Sequence, residues 1–180
     1  AAQHAQAGRN TLILDADRQD SSYHWAEIRP DNVPGVLALD GNRRQLARLP
    51  PDTDQLLIDT PAGVKPRDLE PWLEVANAVL VPVLPSAFDL DATLRFLGEL
   101  AGVPAISRGR LPVALVANRL KPWTHASQDA LARIKAEVLF KLAAGLRDSQ
   151  AYVLLAGLGK GLFDYQSEAV RSHQEDWKPL

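Results

Sequence analysis

The run Thr11-Leu12-Ile13-Leu14 closes on two acids, Asp15 and Asp17, with one residue between them and Gln19 two positions further on. Residues i and i+2 of an extended chain share one face of the pleat. Both carboxylates are therefore expected on one side of a strand end. A pair placed there suits one of two tasks: sharing a cation, or orienting a water for attack on phosphorus. Asp17, nearer the rim, is the candidate for the water, and Asp15 for supporting magnesium or the fold. A further acid, Asp59, closes Leu56-Leu57-Ile58 and leads into Thr60-Pro61-Ala62-Gly63. Mg2+ prefers oxygen ligands and keeps several waters, so one strand-end carboxylate can hold it through water. The competing reading of Asp59 is an acid that caps a strand before a loop. Gly63 suits a turn that approaches a phosphate or adopts positive φ.

These acids need strands that deliver them to a common rim. Residues 11–17, 54–63, 77–86 and 111–120 are short runs with apolar residues at consecutive positions. That pattern predicts strands buried on both faces, as in a parallel sheet covered by helices. Residues 33–39 are a candidate edge strand. Helical patterns cover 66–77, 88–102, 124–143 and about 165–177. The alternation predicts an α/β fold: a doubly wound, mostly parallel sheet with helices on both faces. Ligands in such sheets bind beyond the carboxyl ends of the strands. Asp15, Asp17, Asp59, Pro85, Ser86 and Asn118 all fall at such ends.

The chain has 180 residues, 46% of them hydrophobic and 23% charged, which predicts a single domain with a full core. A net charge of −2 excludes a grossly basic nucleic-acid binder and leaves room for a local basic patch. There are no cysteines, so disulfides and thiolate metal sites are excluded, which fits a reducing cytoplasm. His4, His24, His125 and His173 lack metal-ligand spacing. Ser21, Ser22 and His24 lack the G-x-S-x-G elbow of a nucleophile. No apolar run approaches the ~18 residues that span a bilayer. The four tryptophans, Trp25, Trp72, Trp123 and Trp177, read as packing residues.

Five stretches in order, LILDADRQDSSYHWA (12–26), LLIDTPAG (56–63), VLVPVLPSAFDLDAT (79–93), VALVANRLKP (113–122) and LRDSQAYVLLAGLGKGLFDY (146–165), resemble the ParA/MinD group of deviant-Walker P-loop ATPases. The resemblance is strongest to its short plasmid- and chromosome-partition ParA members. It implies a P-loop NTPase-like fold with ATP and Mg2+ as cofactors. It implies that Asp17 positions or activates the hydrolytic water, that Asp59 holds magnesium through water, and that Asn118 reads adenine. Pro85 and Ser86 would line the nucleotide rim. It further implies an ATP-held homodimer that binds DNA without sequence preference, a ParB-like activator as protein partner, and a bacterial cytoplasmic, nucleoid-associated location. Arg119, Lys121, Arg147, Lys160 and Arg171 are the DNA-binding candidates, against the alternative of ordinary solvated charges. A membrane role is not expected, because the tail VRSHQEDWKPL carries Glu175 and Asp176, the wrong charge for anionic lipid.

Two departures from the family pattern stand out. Arg18 occupies a position where the family usually has Pro. The family's first motif, K-G-G-x-x-G-K-T, does not occur in these residues, and AAQHAQAGRN resembles the end of the helix that follows it. The expectation is a ParA-like nucleotide-binding domain, residues 1–180, that is N-terminally incomplete, lacking the first strand and P-loop. By itself it is not expected to bind or hydrolyse ATP in the family's manner. GLGKGLF (157–163) lacks a Ser or Thr after Lys160 and reads as a turn. The alternatives are a degenerate, non-catalytic interaction module, a MinD-like membrane switch, or a cobyrinate- or dethiobiotin-type ligase of the same fold.

Overall fold

The computed structural model describes residues 1–180, with the side chains of residues 87–89 left aside. In chain order its elements are α1 (Ala2–Gln6), β1 (Thr11–Asp15), α2 (Ser21–Glu27), β2 (Leu37–Asp40), α3 (Arg43–Leu46) and β3 (Gln55–Asp59). A 3-10 turn (Pro66–Leu69), α4 (Glu70–Leu73), β4 (Val79–Val83), α5 (Ala87–Ala101), α6 (Pro104–Ser107) and β5 (Val113–Leu120) follow. The chain closes with α7 (His125–Glu137), β6 (Lys141–Arg147), α8 (Gln150–Gly157), a 3-10 turn (Leu162–Asp164) and α9 (Glu168–Glu175). Contacts divide it into two compact units, Ala1–Val64 with Gln150–Arg171, and Lys65–Ser149 with Ser172–Leu180. Each unit holds one three-stranded parallel sheet, ordered β2-β1-β3 and β4-β5-β6. The α/β class with parallel strands flanked by helices is the one the apolar runs predict.

In the first unit β1 is the central strand and is buried along its whole length. Ile13 packs with Ala5 of α1, Val36, and the half-buried Trp25, Ala38 and Leu57. The edge strand β3 is only half-buried, so the expectation of burial on both faces fails there. It fails for β4 as well, where Leu80 is 57% exposed. Both lie at the margins of their own three-stranded sheets, with a ladder partner on one side only among the described residues. An edge also explains why β4 tolerates Pro82, which cannot donate a ladder hydrogen bond.

In the second unit Leu90, Leu97 and Leu100 of α5 are buried, together with Leu115 of β5 and Ile134 of α7. The helix expected over 124–143 is shorter than that. Thr124 caps it by accepting from Ser127 N at 3.3 Å, and Val138 is extended. Residues 141–147 form β6 instead, because Ala144 and Leu146 close a core with Val116 and Trp177. That competing tertiary contact overrides helical propensity in an alanine-rich run. α8 is a second element the sequence patterns did not isolate. Trp123 is 71% exposed and is not a packing residue.

Residues 157–164 form a turn held to the end of α2. Arg29 Nη1 donates to the Gly159 carbonyl at 3.1 Å and pairs with Asp164 at 3.0 Å, both side chains almost wholly buried at 3% and 0% exposed. The guanidinium lies 4.7 Å from the centre of the Trp25 ring, and Trp25 Nε1 donates to the Lys160 carbonyl. Burial opposes the charged form of Asp164. Hydrogen bonds from Arg29, Gln6 and the Gly161 N–H outweigh it and hold the carboxyl below its ordinary value. A depressed carboxyl contributes stability at pH above its unfolded value, lost as pH falls through the folded one. Removing one partner of a buried pair costs about 3–5 kcal/mol. Asp164→Asn is therefore expected to lower the urea-unfolding free energy by about 3 kcal/mol at neutral pH. The gap to the unsubstituted chain should hold down to about pH 5 and shrink below about pH 4.

Candidate functional site

β1 ends at Asp15, two residues earlier than the expected run 11–17, and this separates the two acids. Asp17 is not on the pleat with Asp15. Its backbone N–H donates to Asp15 Oδ1 at 3.0 Å, while Asp15 Oδ2 accepts from Tyr23 N at 2.8 Å. Tyr23 is in the first turn of α2, whose N-cap residue, Asp20, is left-handed at φ 50° and makes no side-chain cap. Asp15, 1% exposed, thus supplies from the strand end the acceptor that a helix start requires. Asp17 is half-buried in the turn that follows, and its Oδ1 accepts from Gln19 N at 3.1 Å.

Register places a carboxylate at the end of all three strands of this sheet. Asp15 is opposite Asp59 on one side and Asp40 on the other. Asp40 escaped the sequence reading, although it ends an apolar run much as Asp59 does. Asp59 is exposed, accepts from Ser22 Oγ at 2.5 Å, and its carbonyl accepts from Ala16 N at 2.8 Å. Gly41 N donates to the Asp15 carbonyl at 2.6 Å, and a Cβ there would collide with the Ala16 backbone. Gly63 is left-handed, φ 71°, so the turn after Asp59 favours glycine for its backbone rather than for lack of space. Among the described residues, no three His, Cys, Asp or Glu side chains gather closely enough to hold a metal ion. A single exposed carboxylate such as Asp59 can hold a cation only through water. A concavity of about 490 Å³ in this unit, lined by Arg9, Asn10, Leu37 and Asp52 among others, lies at the amino ends of the strands, away from the acids.

The second unit presents its own rim. Asn118 Oδ1 accepts from Arg119 N at 3.0 Å. A concavity of about 250 Å³ beyond β4, β5 and β6 is lined by Pro85, Ser86, Arg119, Lys121, Ser127 and Asp148 with Leu84. Four of the five cationic candidates already have local partners. Arg119 and Lys121 each lie 3.6 Å from Asp148. Arg147 pairs with Asp176 at 2.8 Å and donates to the Ser172 carbonyl. Lys160 Nζ sits 5.0 Å from the centre of the Tyr165 ring, whereas Arg171 is exposed. Asp148, the residue after β6, went unread because the start of that strand was taken for the end of a helix.

No family model matches the chain, and no curated protein matches it. Solved structures do. The MinD cell division protein of Aquifex aeolicus aligns over 93% of this chain and 82% of its own at 17% identity, with a TM-score of 0.64. A plasmid partition protein from Borrelia burgdorferi aligns over 96% and 85% at 11% identity, TM-score 0.62. Cobyrinic acid a,c-diamide synthase from Mycobacterium smegmatis, with bound ATP analogue and magnesium, aligns over 87% and 84% at 21% identity, TM-score 0.63. This is the ParA/MinD fold. No helix among the described residues is long and apolar enough to cross a membrane.

On this ParA/MinD fold the two acids separate by role in stability. Asp15→Ala strands two backbone N–H groups that now bond a carboxylate, a loss of about 3 kcal/mol. Asp17→Ala removes one exposed turn contact, about 1 kcal/mol or less. Urea unfolding of the two variants side by side is expected to show that difference.

Proposed function

We propose that this chain is the nucleotide-responsive part of a ParA-type ATPase, an ATP-dependent dimeric switch acting in DNA partition or cargo positioning. The observation that carries the reading is the arrangement of acids on this fold. A buried Asp15 locks the strand end, leaving Asp17 in the adjoining turn and Asp59 exposed in register beside it. Asp17, steadied by the Gln19 N–H, is the group to orient a water. Asp59, with Ser22 hydrogen-bonded to it, is the group to hold a hydrated Mg2+, which when bound offsets phosphate charge. Asn118 spends its carbonyl oxygen on Arg119 N, so its amide N–H groups are suited to an acceptor on adenine. Pro85 and Ser86 belong to the rim of the second unit.

A homodimer held by ATP would bind DNA through backbone phosphates, with Arg171 an exposed candidate and a ParB-like protein as activator. Such binding weakens steeply with salt. The bacterial cytoplasm at the nucleoid is the location that follows from this reading. The likeness to cobyrinic acid a,c-diamide synthase favours a second reading, an ATP-dependent ligase. That enzyme would hydrolyse ATP in response to a carboxylate substrate instead of DNA and an activator.

Turnover needs hydrogen-bond donors to the ATP phosphates, and the K-G-G-x-x-G-K-T motif that supplies them in the family does not occur in these 180 residues. The assay is therefore run on the full product of its gene. Mg2+-dependent ATP hydrolysis is expected, stimulated by DNA. Asp17→Ala should lower kcat by about 10²–10³-fold with little change in ATP affinity. Asp59→Asn should raise the Mg2+ requirement about tenfold. A gene product that neither binds nor hydrolyses ATP, or an Asp17→Ala variant with unaltered kcat, would overturn the reading.

A further inference from the structure

The concavity at the rim of the second unit has features that neither packing nor the Asn118 contact requires. Arg119 is left-handed, φ 54°, a conformation that costs a non-glycine residue on the order of 1–2 kcal/mol. The strand is irregular just there, between Ala117 and Leu120, and Asp148 N donates to the Leu120 carbonyl at 2.9 Å. The strained residue turns its guanidinium over the same opening that Lys121 reaches. Both cations stand 3.6 Å from the single carboxylate of Asp148, outside hydrogen-bond distance. Among the described side chains two positive groups share one negative group here, which leaves one unit of positive charge in excess among them. Beneath it Ser127 is only 6% exposed. It lines the concavity, and its hydroxyl makes no hydrogen bond among the described residues. The hydroxyl oxygen is not sealed from solvent, so on the wall of a cationic hollow it is a donor that an entering acceptor can reach. Ser127 also lies in the first turn of α7, where free N–H groups and the helix dipole favour an anion.

We infer that this concavity binds a small oxoanion, a phosphate group, between the guanidinium of Arg119, the ammonium of Lys121 and the hydroxyl of Ser127. Its volume of about 250 Å³ suits a phosphate or a small phosphomonoester. A cationic stripe for duplex DNA would be convex and open. Asp148 spaces the two cations and keeps an empty site from repelling itself. The hollow shares Pro85 and Ser86 with the proposed nucleotide rim, yet the inference does not rest on ATP hydrolysis or on Asn118.

The test is an amide-resolved NMR titration of the 180-residue chain with inorganic phosphate at constant ionic strength, with sodium chloride as the matched control. Saturable shifts are expected at the amides of Ser86, Arg119, Lys121, Ser127 and Asp148. Arg119→Gly should weaken phosphate binding about tenfold. It should leave the melting temperature unchanged or raised by about 2–4 °C, because glycine relieves the left-handed strain. Ser127→Ala should weaken binding about 2–10-fold. Adenosine 5′-monophosphate serves as a further arm: tighter binding than phosphate identifies a nucleotide as the source, and equal binding identifies free phosphate or another monoester. Shifts that chloride reproduces, phosphate affinity unchanged in both variants, or adenosine moving these amides while phosphate does not would each overturn the anion site. The last result would leave the nucleotide reading standing.

Discussion

Asp15 is the last residue of β1, and its carboxylate can be buried there because both oxygens accept backbone N–H groups, from Asp17 and Tyr23. One side chain thereby ends a strand, shapes a turn and starts a helix. α2 has seven residues and no fully buried side chain, so it is too short to stand on its own propensity. It depends on the acceptor that Asp15 supplies. The position of Ser22, and so the hydrogen bond it gives Asp59, depends on α2 in turn. The chemistry proposed for Asp17 and Asp59 is conditional on this buried acid.

The other end of α2 is fixed by a second buried charge arrangement. Arg29, one residue beyond Ile28 at the helix end, reaches Asp164 and the Gly159 and Pro34 carbonyls. These contacts bring residues 157–164 into the first unit across more than a hundred residues of sequence. A lone buried carboxylate would favour the neutral form. Here the guanidinium, Gln6 and Gly161 N–H make the charged form the stable one. The helix that abuts the acids is therefore held at both ends by charge-assisted hydrogen bonds, while its sides contribute less.

The strands were legible because buried parallel strands are written as consecutive apolar residues, and the acids at 15 and 59 are where those runs stop. Less was legible where the chain uses small residues. Lys141–Arg147 places Leu142, Ala144 and Leu146 at alternate positions, a strand signal that alanine and glycine dilute and an adjacent helix masks. Missing that strand hid Asp148, and with it the group that Arg119 and Lys121 share. The roles of Asp15 and Asp17 were beyond the sequence for another reason. Spacing places two acids near each other, but which one is consumed by backbone N–H groups depends on where the turn folds. Resemblance to the ParA/MinD group named the fold correctly from motif order, at 11–21% identity to the three solved structures named above. A likeness that remote carries the fold alone, so roles at the rim rest on the residues themselves.

The central claim is that Asp17 and Asp59 form the edge of a metal–nucleotide site on this fold. Paramagnetic relaxation by Mn2+ tests it most directly, with Mn2+ replacing Mg2+ beside a non-hydrolysable ATP analogue on the gene's full-length product. The account predicts strong broadening of the amides of residues 17–22 and 59–63, abolished by Asp59→Ala and absent without nucleotide. Amides in those stretches that stay sharp at saturating nucleotide would contradict it.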